Sequence, residues 1–215
     1  MTVHTRTAQP VTVRPNAWVR LARLHAASRR VPVALAALAA CAIGLRVALY
    51  ASWNTYGALQ MPLMVEAGCA AAVVVTLAGP FGEPERVTGR ALAWLRLGTV
   101  GLLTVAAVVA LAVAATGMEL AGGFPAMVRN VVGLIGIGLL CGVVLGGALA
   151  WTGPVVYLIV GVYGLYTQWH DPAVTTPWLW PSRPSHDLGG ALCAGLVFLV
   201  GLVLFVRRGA RDPID

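Results

Sequence analysis

Apolar residues run along this chain in six long blocks, separated by short polar breaks. The blocks cover residues 31–51, 60–79, 95–116, 127–150, 154–168 and 188–206. Most reach the roughly 20 residues a helix needs to cross a bilayer. The pattern therefore predicts an all-α polytopic membrane protein with six transmembrane helices. The block at 154–168 is the shortest and sits near the lower limit for crossing.

The polar breaks differ in character. Residues 1–14 are polar and aperiodic and read as a flexible tail, and 207–215 as a cytoplasmic tail. The first apolar block begins only after this stretch and the next, so no cleavable signal peptide is expected. Residues 15–30 are amphipathic. Trp18, Leu21, Ala22 and His25 share one helical face, and Arg20, Arg23 and Arg30 the other. Such a segment lies flat in the membrane interface with its arginines toward lipid headgroups. Residues 52–59 carry Trp53 and Tyr56, which suit an interface. Residues 117–126 form a glycine-rich loop, and 151–154 a tight turn. The break at 80–96 holds Glu83, Glu85, Arg86, Arg90 and Arg96. Pro84 fits the first turn of a helix, and the two glutamates would sit at its positive end. A short charged surface helix leading into the third span is expected there.

Composition sharpens this picture. With 59% hydrophobic and 11% charged residues and a mean hydropathy of +0.81, the chain has too little charge to cover a soluble domain. Lysine is absent, and all fifteen basic residues are arginine. A P-loop lysine and a pyridoxal Schiff base are thereby excluded, and no nucleotide or catalytic motif is present. No enzymatic activity and no cofactor are expected. The net charge of +7 reads as topology, not as nucleic-acid binding. Arginines crowd residues 6–30, 86–96 and 207–211, whereas the opposite side has only Arg183 in its loops and Arg129 near a span end. The positive-inside rule places both termini and the 80–96 break in the cytoplasm.

Four polar residues inside or near the spans stand out. Arg46 and Glu66 lie at similar depth in the first two spans, and an Arg46–Glu66 pair is expected because a charge in a span seeks an opposite one. Arg129 and Asn130, just inside the fourth span, are placed to join that cluster. Cys41, Cys69, Cys141 and Cys193 fall in apolar runs without a CxxC and read as small core residues. Gly142 and Gly146 form a small-xxx-small pattern, suited to close packing within the subunit or to a dimer seam. The 169–187 segment holds three tryptophans among prolines and is expected in the interface or folded back on the bundle. Its pairs His170–Asp171 and His186–Asp187 have metal-ligand chemistry but no fixed spacing. The simpler reading makes Ser185 a cap, with Asp187 in the first turn of the sixth span.

The arrangement resembles the membrane-spanning subunit of ABC-2-type transporters, of the small actinobacterial kind. The resemblance rests on an amphipathic helix at 15–30, a charged helix at 82–96, the phrase Pro80-Phe81-Gly82-Glu83-Pro84-Glu85-Arg86 followed by an arginine-rich run, and an outer segment at 169–187. It implies that the 83–90 helix, through Glu83, Glu85, Arg86 and Arg90, couples to a separate ABC-type ATPase subunit. Trp18, Arg20, Leu21 and Arg23 would belong to the connecting helix. A second permease copy or a homologous permease completes the pathway in a bacterial cytoplasmic membrane. Export of a hydrophobic or amphipathic compound is implied. A membrane-embedded redox or cofactor-binding subunit, or a non-transporting scaffold, is the alternative.

Overall fold

A computed structural model describes residues 30–51, 55–78, 90–167 and 177–210. The expected amphipathic helix at 15–30, apart from Arg30, and the coupling residues Glu83, Glu85 and Arg86 lie outside them. So do His170 and Asp171. Among the described residues the chain is all-helical: α1 (Val31–Tyr50), α2 (Thr55–Val75), α3 (Arg90–Ala114), α4 (Gly123–Val144), α5 (Thr152–Thr167) and α6 (Leu188–Arg208). Short 3-10 turns lie at Gly147–Leu149 and Trp180–Ser182. All six are accounted for by segments long and apolar enough to span a membrane, α5 with the help of the turn before it.

Helix ends depart from the apolar blocks because hydrogen bonding, not hydropathy, sets them. α2 begins at Thr55, before the apolar block, and carries Pro62 in its interior. Arg90 opens α3, so the arginines at 90 and 96 continue the third span and do not belong to a separate surface helix. α4 begins at Gly123 and tolerates Pro125 in its first turn, where no intrahelical N–H is needed. It stops at Val144. Gly146 then adopts φ 97, a left-handed value open to glycine, and turns the chain into the 3-10 segment. The expected Gly142/Gly146 pair is therefore not a helix face; Gly146 ends the element instead.

The helices alternate in direction. Glu66 of α2 meets Asn130 of α4, and Val74 lies against Gly138 eight residues further along both. Gly133 faces Ala194, and Gly136 faces Phe198. Thus α2, α4 and α6 run parallel through the middle of the bundle. α5 runs against them: Gly153 abuts Cys141, whereas Gly161 abuts Leu63. Arg46 near the end of α1 reaches the end of α3, so these two are parallel as well. One end of the bundle carries Arg30, the 79–89 connection and Arg208. The other carries the 51–54, 115–122 and 168–187 connections and is called the loop end below.

Surface and interior match a lipid environment. Val33, Ile43, Leu102, Val109, Ile159 and Leu196 are exposed on the outside. Lipid covers such groups at no cost, so packing inside must come from close fit. The closest fit joins α4 to α6. A Cβ on Gly136 would lie 2.6 Å from the backbone of Phe198, and one on Gly201 would lie 2.7 Å from the carbonyl oxygen of Gly136. Only glycine permits this approach. Cys69 is fully buried at the α1–α2 contact, near Cys41, and all four cysteines are free thiols.

Gly136→Ala is expected to destabilise the bundle by about 1–3 kcal/mol, the usual cost of overpacking. Gly195→Ala, where an added Cβ meets nothing within 4 Å, serves as the matched control and keeps or raises stability. Thermal unfolding of the two variants in the same detergent compares them directly. Equal midpoints would remove the α4–α6 contact from its central place.

Candidate functional site

Two adjacent residues of α4 do different work because successive helix positions point about 100° apart. Asn130 faces α2. Its side-chain Nδ2 donates to Glu66 Oε2 at 2.9 Å. Both are buried, Glu66 at 3% exposure and Asn130 at 8%. Other buried hydroxyls of the spans satisfy themselves locally: Thr76 donates to the Val73 carbonyl and Thr104 to that of Val100. The Glu66–Asn130 bond instead joins two helices. Arg129 lies close enough to act electrostatically on Glu66, without a direct hydrogen bond.

Arg129 faces the chain that leads into α6. Its guanidinium donates from one terminal nitrogen to the Pro184 carbonyl at 2.8 Å and from the other to the Arg183 carbonyl at 3.0 Å. Residues 177–187 thus form a strap drawn onto the bundle. Trp180 anchors it at 2% exposure, stacked on Tyr157 with ring centroids 4.5 Å apart. Tyr157 also donates its hydroxyl to the Trp178 carbonyl at 2.6 Å. The glycine at 133 makes room for the indole, since a Cβ there would fall 2.6 Å from it. The described part of the segment therefore folds back against the bundle.

The end of the strap is held by charge. Arg183 donates to Asp187 through Nε at 3.0 Å and through a terminal nitrogen at 2.9 Å. This paired geometry is the strong form of the interaction. Asp187 also accepts from the Gly190 backbone N–H at 2.7 Å and is the N-cap of α6. The capping residue is thus Asp187 itself and not Ser185. Its Arg183 and Gly190 partners hold the carboxyl at about 2, below its ordinary 3.8. The guanidinium of Arg183 is raised above its usual range by the same pairing. Asp187 being so engaged, and no group of three metal-binding side chains occurring among the described residues, His186–Asp187 has no partner there for a metal.

Arg46 does not pair with Glu66. Its guanidinium donates to the carbonyls of Ala114, at 3.1 Å, and Thr116, and lies over the Tyr50 ring at 5.1 Å. The last carbonyls of a helix have no intrahelical donor and carry the negative end of its dipole. Arg46 therefore closes the end of α3. The expected cluster of four splits into an Arg46 tie at the loop end and a Glu66–Asn130–Arg129 group within the bundle.

That group borders a cavity of about 270 Å³ at the loop end, beneath the strap. Glu66, Arg129, Asn130 and residues 181–185 line it, with Leu59, Leu63 and Leu165 as its apolar wall. A second cavity of about 160 Å³ shares Pro62 and Ala121 with it and carries Glu119. The role of Trp180 and Tyr157 was missing from the sequence reading. Its one signal was the density of tryptophans between prolines.

Asn130→Leu strands a buried carboxyl group without its hydrogen bond, and is expected to cost about 1–3 kcal/mol. The double variant Glu66→Met with Asn130→Leu strands nothing and recovers most of that loss. Thermal unfolding reads both. A double variant as unstable as the single one rules out the pair as the cause. The strap has its own pH dependence. A carboxyl held below its ordinary value stabilises the folded form above about 3.8, and this contribution disappears as pH falls through about 2. Trp180 fluorescence is expected to report a docked strap from neutral pH down to about 4 and release near 2; Asp187→Asn abolishes this step.

No family model, curated protein or solved structure matches this chain.

Proposed function

We propose that this chain is the membrane-spanning subunit of an ATP-driven transporter. A separate ATPase supplies the energy, and an amphipathic compound is the passenger. The observation that carries this reading is the cavity at the loop end with Glu66 and Asn130 buried on its wall. Burying a carboxyl group among apolar helices is costly, and intramembrane ionisable groups mark substrate or ion pathways. The apolar wall of Leu59, Leu63 and Leu165 suits a passenger with a hydrocarbon body.

Two further features support the energy coupling. Among the described residues, Arg30, Arg90, Arg207 and Arg208 stand at helix ends away from the cavity, with Arg96 in the second turn of α3. By the positive-inside rule that end faces the cytoplasm, in a bacterial cytoplasmic membrane. The 79–89 connection is at the same end and carries Glu83, Glu85 and Arg86, with Arg90 at the start of α3. An ATPase docked there sits opposite the cavity, as export requires. The chain has no lysine for a phosphate-binding loop, so hydrolysis belongs to another subunit. A second copy of this chain, or a homologous permease, completes the pathway.

Tagged full-length chain purified from its native membrane in mild detergent is expected to bring down an ATPase with nucleotide-binding motifs. The double variant Glu85→Ala with Arg86→Ala recovers roughly tenfold less of it, equivalent to about 1.4 kcal/mol of binding. Purification without an ATPase, or unchanged recovery by the double variant, rejects the coupling.

A further inference from the structure

Polar atoms around the larger cavity are unevenly committed. Most of the charged donors are taken. Both terminal nitrogens of Arg129 hold strap carbonyls, Arg183 holds Asp187, and the Ser182 hydroxyl donates to the Leu179 carbonyl. The acceptors are not. Asn130 turns its Nδ2 to Glu66, so its Oδ1 points elsewhere and has no partner, though the residue is more than nine-tenths buried. An amide flip would set oxygen against oxygen, so the carboxylate itself fixes this orientation. Glu66 spends one oxygen on Asn130 and lines the cavity with the rest of its carboxyl group. Pro62, shared by both cavities, lacks an N–H and leaves the Ala58 carbonyl without its α-helical donor. Nε of Arg129 is the exception, an unpaired donor on a group that already clamps the strap.

Charge follows the same division. The ionisable side chains facing the two cavities are Glu66, Arg129, Arg183 and Glu119. Arg183 is neutralised by Asp187, and Arg129 is tied to two carbonyl dipoles. Glu119 has no such partner among the described residues, and Glu66 has the neutral Asn130 amide as its hydrogen-bond donor, with the Arg129 charge nearby.

We propose that the cavity between α2, α4 and the 181–185 strap binds a small organic ammonium ion, with the Glu66 carboxyl group, held in place by Asn130, as acceptor for its N–H groups. The apolar wall of Leu59, Leu63 and Leu165 holds its hydrocarbon part. The volume of about 270 Å³ leaves room for an amine with a short hydrocarbon chain. That this ion is the passenger rests on the transport reading above; that it binds does not.

The test uses the purified full-length chain in lipid nanodiscs, with thermal unfolding followed by tryptophan fluorescence. The probes are n-butylammonium chloride, butan-1-ol and sodium butyrate, which share a chain and differ in charge; sodium chloride controls for salt. Saturable stabilisation by n-butylammonium alone is the expected result. Glu66→Gln keeps the shape of the side chain and is expected to shift the required concentration at least about tenfold upward, as loss of a charge-assisted hydrogen bond does. Equal stabilisation by butan-1-ol makes the cavity a merely apolar one and overturns the proposal. Stronger stabilisation by butyrate assigns the site to Arg129 and overturns it too, as does absence of any effect of the amine. Should Glu66→Gln fail to fold, the three-probe comparison on the unmodified chain decides alone. Amine binding by a chain that recovers no ATPase leaves this site standing and removes the permease reading. Recovery of the ATPase without amine binding does the reverse.

Discussion

The backbone contact between α4 and α6 governs the rest of the molecule. In a bilayer the lipid is as apolar as any side chain, so helices gain by fitting closely and not by escaping water. Gly136 and Gly201 bring the two backbones within a distance that no other residue permits. This fixes the rotation of α4, and α4 carries Arg129 and Asn130. One points to the strap that enters α6, the other to Glu66 on α2. A rotation of α4 by one residue would turn Arg129 away from the strap and Asn130 away from Glu66, and so undo both ties at once.

Polar groups in the bundle fall into two kinds by what satisfies them. Thr76 and Thr104 bond to their own helices and are tolerated without consequence for neighbours. Arg46 closes the end of α3, and Arg96 lies over Phe205 at the opposite end, at 5.8 Å. These are ties at the helix ends, where water and headgroups relieve any remainder. Glu66 and Asn130 are different. They bond across helices, inside the spans, beside the larger cavity.

Much of the fold was legible beforehand, for a physical reason. A bilayer requires an uninterrupted apolar helix from each span, and that requirement writes itself into composition over about 20 residues. Six blocks could therefore be counted, and even the short fifth span was found. Helix ends were less legible. Thr55, Gly123 and Val144 are boundaries set by backbone bonding and by the left-handed glycine at 146, to which hydropathy is blind. The polar cluster was legible in part. A buried charge announces that it needs a partner, but not which one. Arg46 found backbone carbonyls, which no side-chain pattern marks, and Glu66 found a neutral amide.

Six apolar helices, the lack of lysine chemistry and the crowding of arginines into alternate polar breaks are all written along the chain. Each of these follows from local composition against a solvent of known polarity. That Asn130 and not Arg46 holds Glu66, and that Arg129 fastens a strap, emerges only when the helices pack. So does the division of labour by which Gly136 serves the helix contact while Gly146 ends a helix. Those outcomes depend on the relative rotation of helices far apart in the chain. That rotation is set by steric fit at a few glycines, a property of pairs of surfaces that no single stretch of residues contains.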